Sequence, residues 1–362
     1  MGCKQSSAAG AASTTAGPAP ARPVEGHVDG APRAATEPVA SAGARMAGGG
    51  PSRAARHAAA VVETDEQLLS LAVEYVTAGL DADDLTVVGA RPGLERRLTE
   101  ALGERAGAVD FDPRICLFSS RAPEVFSHTG RLAERATTRG SGRLRLLAQV
   151  DFGAAPRDVR EGQCFESVAN AMLGTVPVTA LCLYDARELP AALVRSAGVT
   201  HPLVAGDDWR ASPDFVDPVE FVRGLDVPRE PIEDTPPLLA VDRAPTLPEL
   251  RHAIGATLSA SVPDRDQRDD LHLALSEMAA NAFRHGAPPV SARLWASAGR
   301  LVCVIADCGP GLPDPLYGYW PAHGDDLGRG GMGLWLARKL CDHVDVLPRR
   351  AGFAVRLSTA LR

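Results

Sequence analysis

Short apolar strands alternate with amphipathic helices between residues 57 and 197, and this alternation constrains the fold more than any other feature of the sequence. Strands are predicted at His57–Val62, Leu85–Gly89, Ile115–Phe118, Leu144–Val150 and Val178–Tyr184. Helices are predicted before Gly79 and at about 94–102, 123–138, 157–173 and 187–197. Consecutive parallel strands need a crossover helix, so the pattern predicts an α/β domain with a parallel sheet covered on both faces.

Two local signals refine this prediction. The first helix has a continuous apolar face formed by Leu68, Leu69, Ala72, Val73 and Val76. Gly79 follows this face at the position of a left-handed cap, so we expect the helix to end there. The segment Leu144–Val150 is almost continuously apolar, which is typical of a strand in the centre of a parallel sheet.

Composition divides the chain into four parts. Residues 1–54 contain hardly any large apolar side chains, so we expect a disordered Ala/Gly/Pro-rich tail, in which Met46 is a second candidate start. A Pro- and Asp-rich run at 227–237 predicts a linker. We therefore expect a tail at 1–54, a first domain at 55–225, a linker at 226–243 and a second domain at 244–362.

The second domain also mixes helices with strands, in a different order. Helices are predicted at 246–260, 267–285 and 331–343, and strands at 289–296, 300–306 and 352–358. No internal repeat is detectable. The pattern therefore predicts a separate α/β domain of about a hundred residues, a common domain size.

One face of the helix predicted at 267–285 carries three polar residues. Glu277, Asn281 and His285 are spaced i, i+4 and i+8 and so share that face. An Asn amide oxygen can coordinate Mg²⁺, and a Glu carboxylate can orient or deprotonate a nucleophile. By itself, this spacing is more typical of a helix face exposed to solvent.

A second signal is an acidic residue at the end of an apolar strand. Asp307 follows the run 302–306, and Gly309 and Gly311 come directly after it. A buried Asp in this position can accept a hydrogen bond from an adenine amino group, and the glycines let the backbone approach the ring. Alone, the run is typical of a strand followed by an ordinary Gly–Pro turn.

A third signal is a glycine-rich loop that leads into an apolar helix. The loop contains Gly328, Gly330, Gly331 and Gly333, and the helix follows from Leu334. Free backbone N–H groups and a helix N-terminus together bind phosphate anions. A lone loop of this kind is weak evidence, because a flexible turn has the same composition.

In this order and spacing, the three motifs resemble those of the GHKL ATPase superfamily, which includes gyrase, Hsp90-type chaperones, histidine kinases, mismatch-repair ATPases and anti-sigma kinases. The resemblance implies a two-layer α/β sandwich of the Bergerat type that binds ATP and Mg²⁺. It assigns the metal to Asn281 and adenine recognition to Asp307. It assigns the remaining nucleotide contacts to Gly309, Gly311, Gly328, Gly330, Gly331 and Gly333.

Within that superfamily, the segments 276–286 and 330–335 look most like those of anti-sigma serine kinases. The sequence ends at Arg362, soon after the last predicted strand, so we expect no transducer domain, and we recognise no helical hairpin with a phospho-accepting His before the second domain. The resemblance implies that Glu277 is the general base for a seryl hydroxyl on an anti-anti-sigma (STAS-type) partner. It also implies a sigma factor as a partner, a cytoplasmic location and a possible homodimer.

Two other functions stay open, since the large first domain is unusual for the serine-kinase branch. A nucleotide-gated switch would bind ATP and a partner protein with little turnover. A sensor histidine kinase would phosphorylate a response regulator through a histidine, with His252 and His272 as candidates.

The first domain resembles the MEDS sensory domain of methanogens and methylotrophs. The matching features are His57 on the first strand, the segment Tyr75–Leu80, the pair Tyr184–Asp185, and His201 before Pro202. The resemblance implies a RecA-like fold that binds a small hydrocarbon-like ligand. A working P-loop is not expected, because the turn at 89–93 has neither the length nor the Lys of that motif.

Four residues of this domain are candidates for further chemistry. His57 and His201 are candidate ligand or metal contacts, although a purely structural His is commoner. Cys164 and Cys182 are close to them in the domain's sequence and are candidates for a redox-sensing pair.

Charge, cysteine usage and hydropathy disfavour several classes of function. The chain has 38 Lys and Arg against 45 Asp and Glu, a formal net charge of -7 that does not favour nucleic acid as a ligand. Its seven cysteines are dispersed without a CxxC pair, which suits a reducing compartment. No run of 18 apolar residues occurs, so we predict no membrane span.

Overall fold

Two β-sheets, each packed against helices, organise the part of the chain that the structure describes. The structure is a computed structural model, and it describes residues 55–174, 176–206, 208–320, 331–349 and 352–362. The strands are β1 (Arg56–Val62), β2 (Leu85–Gly89), β3 (Asp110–Phe111), β4 (Leu144–Gln149), β5 (Val178–Asp185), β6 (Leu203–Val204), β7 (Arg210–Ala211), β8 (Leu239–Val241), β9 (Ser291–Ala296), β10 (Arg300–Asp307), β11 (His343–Arg349) and β12 (Gly352–Ala360). The helices are α1 (Asp65–Asp81), α2 (Pro92–Leu102), α3 (Ala122–Thr137), α4 (Pro156–Leu173), α5 (Ala191–Thr200), α6 (Pro218–Gly224), α7 (Leu247–Ser261), α8 (Arg265–His285) and α9 (Gly331–Leu340).

The first sheet has the strand order β3-β2-β4-β5-β1-β6-β7. All of its pairings are parallel except that of β6 with β7. The α/β prediction is therefore confirmed, and β4 lies inside the sheet between β2 and β5, as its apolar sequence predicts. β5 is buried along its whole length, which is expected for a strand with helices on both faces.

The second sheet is antiparallel and has the order β11-β12-β10-β9-β8. Helices α7, α8 and α9 pack with it around one core, which includes Ile254, Leu275, Leu294, Leu301 and Leu334. Because helices and sheet share this core, the second region is the α/β layer structure that was predicted. Three strands and three helices of this region match the predicted elements to within two residues at each end, apart from the end of α9, which comes three residues early.

The predicted helix end at Gly79 is wrong. Helix α1 continues to Asp81, and the left-handed conformation falls on Asp83, whose φ is 56°. Gly79 has a packing role instead, because a Cβ there would lie 2.3 Å from Cδ of Arg145 and 2.6 Å from Oγ1 of Thr86. The glycine therefore allows α1 to approach the neighbouring strands closely.

The strand predicted at 115–118 is also absent. The chain pairs with β2 earlier, through Asp110–Phe111, and then forms a one-turn 3₁₀ helix at Pro113–Ile115. Ile115 and Cys116 pack against Gly89, where a Cβ would lie only 2.4 Å from the Cys116 sulfur. Their apolar character thus reflects burial under the sheet edge and not strand pairing.

The end of α9 and the extent of the linker also differ from prediction, because the short elements there have weak sequence patterns. The helix predicted at 331–343 ends at Leu340, and the chain continues as the unpredicted strand β11. The segment predicted as a linker, 226–243, contains a 3₁₀ turn at Pro231–Asp234 and strand β8, which pairs with β9. The tail predicted at 1–54 lies outside the described residues.

Candidate functional site

Helix α8 presents the predicted polar face beside the start of α9. The helix is capped by Asp264, whose carboxylate accepts from the backbone N–H of Gln267 at 2.7 Å. Its apolar face enters the core, which leaves Glu277 and Asn281 half-buried along its side. A Cβ at Gly333 would lie 3.2 Å from both the Asn281 amide nitrogen and a Glu277 carboxylate oxygen. The first turn of α9 therefore contacts both polar side chains directly.

Asp307 ends β10 and is only 8% exposed. Its Oδ1 accepts hydrogen bonds from the backbone N–H of Gly309 at 2.6 Å and of Ala287 at 3.3 Å. A Cβ at Gly286 would lie 2.3 Å from the carboxyl carbon of Asp307, so the glycine is needed for the carboxylate to sit there. A carboxylate offers about four acceptor positions, so Asp307 can accept a further hydrogen bond from a ligand.

A cavity of about 320 Å³ connects these two groups of residues. Asn281 lines one part of it and Asp307 another, and His285 also borders it. The rest of the wall is largely apolar and consists mainly of Met278, Ile305, Leu312, Tyr317, Trp320, Leu334, Phe353 and Val355. An apolar cavity of this size with a few convergent polar groups is typical of a small-molecule site.

Two segments of the chain match known protein families. Residues 240–359 match the histidine kinase-like ATPase domain family. Residues 56–202 match MEDS, the methanogen/methylotroph, DcmR sensory domain. The chain joins a MEDS domain to a histidine kinase-like ATPase domain. No match was found among curated proteins.

In the ATPase domain, the structure brings most of the predicted site residues together. Asn281, Asp307 and Gly311 line the cavity, Gly309 donates to Asp307, and Gly333 contacts Glu277 as well as Asn281. Gly331 is the first residue of α9. Gly328 and Gly330 lie outside the described residues. The nucleotide roles assigned to these residues stay predictions.

The apolar wall of the ATPase cavity was missed by the sequence analysis. Gly311 has a φ of +83°, and a Cβ there would lie 2.5 Å from the ring of Phe353, on β12. Tyr317 and Trp320 come from the loop after Gly311. Only the Gly311 glycine carries a sequence signal for this wall, because its aromatic residues are far apart in sequence and follow no period.

The loop at 312–320 contacts the MEDS domain as well as the ATPase cavity. Leu316 and Tyr319 are buried in the same core cluster as Phe126 of α3 and Phe165 of α4. The Tyr319 ring meets Phe126 edge-on at a centroid distance of 6.5 Å, and Arg338 of α9 lies 4.0 Å over its face. One short loop thus joins the ATPase cavity to the MEDS core.

A buried ion-pair cluster forms a second contact between the domains. Asp345 of β11 is 3% exposed and accepts from Arg157 of α4 at 2.6 Å and from Arg356 of β12 at 2.9 Å. Burial alone would raise the pKa of Asp345, but the neighbouring guanidinium groups outweigh it and lower that pKa. Glu230 joins the cluster by pairing with Arg157 at 3.1 Å.

The histidines and cysteines singled out in the MEDS domain separate into two places. His57, Cys182 and His201 lie together, whereas Cys164 packs in the core cluster of Phe126 and Phe165. Both thiols are free, and burial raises the pKa of each, so neither has the low pKa of a redox-active thiolate. The predicted Cys164–Cys182 redox pair is therefore not supported.

Among the helices that the structure describes, none combines the length and the apolar character that a bilayer crossing needs.

Proposed function

We propose that this chain is an ATP-binding anti-sigma factor with serine kinase activity toward an anti-anti-sigma (STAS-type) protein, controlled by a small molecule bound to the MEDS domain. The observation that supports it most strongly is the contact of Gly333 with both Glu277 and Asn281, next to the cavity that contains Asp307. This contact groups a phosphate-binding helix start, a metal-ligand candidate and a base candidate at one site.

The adenine ring, the phosphates and Mg²⁺ would each have a matching group at this site. Asp307 would accept a hydrogen bond from the adenine amino group, between apolar walls that include Phe353 and Ile305. Asn281 would give its amide oxygen to Mg²⁺, which neutralises charge on the phosphates. Because Gly333 has no side chain, backbone N–H groups at the start of α9 can approach the phosphate oxygens.

Glu277 is the residue we assign to proton transfer. In the proposed reaction the seryl oxygen bonds to the γ-phosphorus, the bond from that phosphorus to the β,γ-bridging oxygen breaks, and ADP leaves. Glu277 accepts the seryl proton as the new bond forms. Its half-buried position beside Gly333 supports this role, since a base must lie near the transferred group.

Control by the MEDS domain is supported by the loop at 312–320. Tyr317 and Trp320 border the ATPase cavity, and Tyr319 in the same loop is buried against Phe126 of the MEDS domain. A ligand that shifts α3 or α4 would move this loop, and the nucleotide affinity would change with it.

The first test is ATP binding by calorimetry on the full chain, with and without Mg²⁺. We expect Mg²⁺-dependent binding that weakens at least tenfold in Asn281→Ala. The matched control is Asp269→Asn, an exposed residue on the same helix that should bind like wild type. Equal binding by Asn281→Ala and wild type would refute the metal-ligand assignment.

The second test is phosphoryl transfer from labelled ATP to a STAS-type protein. The proposal predicts an acid-stable phosphoserine that is lost in Glu277→Gln while ATP binding persists. An acid-labile phosphate on this chain would instead favour a histidine kinase. ATP binding that regulates a partner without any transfer, in wild type and Glu277→Gln alike, would favour a nucleotide-gated switch.

A further inference from the structure

Four side chains with metal-binding atoms converge inside the MEDS domain. His57, Glu166, Cys182 and His201 are all buried, and one ligand atom from each lies within 4.8 Å of the others. They come from β1, α4, β5 and the residue after α5. The sequence made candidates of His57, Cys182 and His201 only. Glu166 was not predicted, because it lies inside an ordinary amphipathic helix.

The sheet register explains how these residues meet. β1 pairs with β5 so that Ala59 is opposite Cys182. Side chains two residues apart on a strand point to the same face, so His57 shares the face of Cys182. Helix α4 covers that face with Glu166, and α5 ends directly before His201. Four separate elements thus deliver one donor each to one point.

Four of the six donor–donor distances in the cluster match the edges of a tetrahedral metal site, and the other two are no longer than 4.8 Å. The Glu166 Oε2 lies 3.5 Å from Nε2 of His57 and 3.4 Å from Nε2 of His201. The Cys182 sulfur lies 3.5 Å from Nε2 of His57 and 3.6 Å from the same Glu166 oxygen. Bonds of about 2.0–2.3 Å from zinc to its ligands give tetrahedron edges of about 3.3–3.8 Å.

Hydrogen bonds outside the cluster orient both imidazoles toward it. The side-chain nitrogen of Asn170 donates to the Thr200 carbonyl at 2.7 Å, so the Asn170 Oδ1 is free to accept from Nδ1 of His57 at 2.9 Å. Nδ1 of His201 lies 2.9 Å from the Ala197 carbonyl and donates to it. Each Nε2 therefore carries a lone pair directed at the cluster, as in metal-binding histidines.

This arrangement is costly without a cation. Nε2 of His201 is fully buried and has no hydrogen-bond partner in the described structure. The Glu166 oxygen 3.4 Å away is also an acceptor when ionised, so it cannot donate to this nitrogen. A buried polar atom left unsatisfied costs about 1–3 kcal/mol. A metal ion would satisfy the two lone pairs and the carboxylate together.

We propose that His57, Glu166, Cys182 and His201 bind one late first-row divalent metal ion, with zinc as the best match. Imidazole and thiolate donors suit zinc and its neighbours, whereas Mg²⁺ and Ca²⁺ prefer oxygen ligands alone. On binding, the Cys182 thiol releases its proton and the sulfur bonds to the metal as a thiolate. Four protein donors complete a tetrahedron, so the site is of the closed, structural type.

The metal would also fix the helix that reaches the ATPase domain. Glu166 and Arg157 are on α4, about 14 Å apart along its axis at 1.5 Å per residue. Arg157 is the residue that pairs with Asp345 of the ATPase domain. Loading the site would therefore hold α4 at two points, one at its N-terminal end and one in its interior.

The test is titration of the metal-free full chain with Co²⁺, followed by displacement with Zn²⁺. We expect one Co²⁺ per chain with tetrahedral visible bands and a thiolate-to-cobalt band in the near ultraviolet. Cys182→Ser should lose the thiolate band, and Glu166→Gln should bind more weakly. Asn170→Ala, which removes a positioning hydrogen bond, should lower the affinity about 10–100-fold.

The matched control is Cys164→Ser, a buried cysteine on α4 outside the cluster, which should keep the spectrum of wild type. X-ray absorption of the zinc-loaded wild type needs no variant and should show one sulfur and three nitrogen or oxygen ligands. Failure of the folded wild type to bind a stoichiometric ion would overturn the proposal. So would an unchanged cobalt spectrum in folded Cys182→Ser.

Discussion

At the scale of single residues, the ATPase cavity depends on a glycine whose backbone other residues rarely adopt. Gly311 has a φ of +83° and sits against the Phe353 ring. Its position between Asp307 and the loop at 312–320 links the carboxylate to the aromatic wall. The glycine therefore sets the shape of the cavity without offering a side chain to it.

We predict that Gly311→Ala destabilises the chain by about 1–3 kcal/mol, because it combines backbone strain with a Cβ that would lie 2.5 Å from Phe353. ATP affinity should fall as well. Urea unfolding and calorimetry measure the two effects. Gly299→Ala is the control, since its Cβ would meet no atom within 4 Å and its φ is not positive. Equal stability of the two variants would contradict this account.

At the scale of elements, helix α4 is packed tightly at one glycine. A Cβ at Gly162 would lie 1.8 Å from Cδ2 of Phe152, whereas a Cβ at Gly130 of α3 would meet nothing within 4 Å. Both glycines are inside helices, where Ala is intrinsically better by about 0.5–1 kcal/mol. Packing therefore decides whether replacing each glycine by Ala raises or lowers the stability of the folded chain.

We predict that Gly162→Ala is destabilising, because overpacking costs about 1–3 kcal/mol and exceeds the gain in helix propensity. Gly130→Ala should be stabilising by up to about 1 kcal/mol. Thermal unfolding of both variants beside wild type checks the pair. If Gly162→Ala gains stability as Gly130→Ala does, then Phe152 moves aside easily and α4 is not held as tightly as described.

The elements also show how far the sequence determines the fold. Periodicity located β2 and α8 well, because a buried strand and an amphipathic helix have distinct local patterns. It failed at Ile115 and Cys116, whose apolar side chains fill space under Gly89 without pairing. It also failed at Gly79, since a glycine needed for packing looks the same in sequence as a glycine needed for a cap.

Some residues of the candidate sites could be predicted from the sequence and others could not. Asn281 and Asp307 carry local signals, a helical spacing and a strand end, and both line the cavity. Phe353 and Glu166 carry none, because their roles arise from contacts with residues far away in sequence. Long-range geometry of this kind is decided by the sheet register and by helix packing.

At the scale of the whole molecule, the two domains are joined by buried charge. Asp345 is surrounded by Arg157, Arg356 and Arg160, and these side chains are largely buried. Removing one partner of a buried ion pair costs about 3–5 kcal/mol, because the remaining charge stays desolvated. The contact between the domains should therefore be weakened by loss of this carboxylate, while the loop at 312–320 still packs against the MEDS core.

We predict that Asp345→Asn lowers the free energy of unfolding by about 3–5 kcal/mol at pH 7. The pKa of Asp345 is lowered in the folded chain, so its stabilisation is complete above the usual value of 3.8 and is lost as the pH falls through the folded pKa. The difference between variant and wild type should thus shrink in acid. Urea unfolding at pH 7 and in acid measures this difference in stability. The control is Asp234→Asn, which changes an exposed carboxylate. A difference independent of pH would contradict the assignment.

We also predict that Tyr319→Ala weakens ATP binding, although Tyr319 is not among the residues that line the cavity. The variant removes the contact with Phe126 and the ring under Arg338, and so frees the loop at 312–320. Tyr319→Phe keeps the ring and should bind nearly as wild type does. Calorimetry on both variants checks this. If folded Tyr319→Ala binds ATP with unchanged affinity, then the packing of this loop against Phe126 and Arg338 does not affect the nucleotide site.

The segment between the domains has a practical consequence for protein engineering. Glu230 pairs with Arg157 of the MEDS domain and with Arg300 of the ATPase domain, and Glu233 pairs with Arg356. A chimaera that exchanged sensory modules at residue 240 would remove Glu230 and Glu233 with the old sensor and leave Arg300 and Arg356 without these partners. A splice upstream of Pro228 would carry the segment along with the ATPase module, and any replacement sensor would then need a counterpart of Arg157 to be compatible.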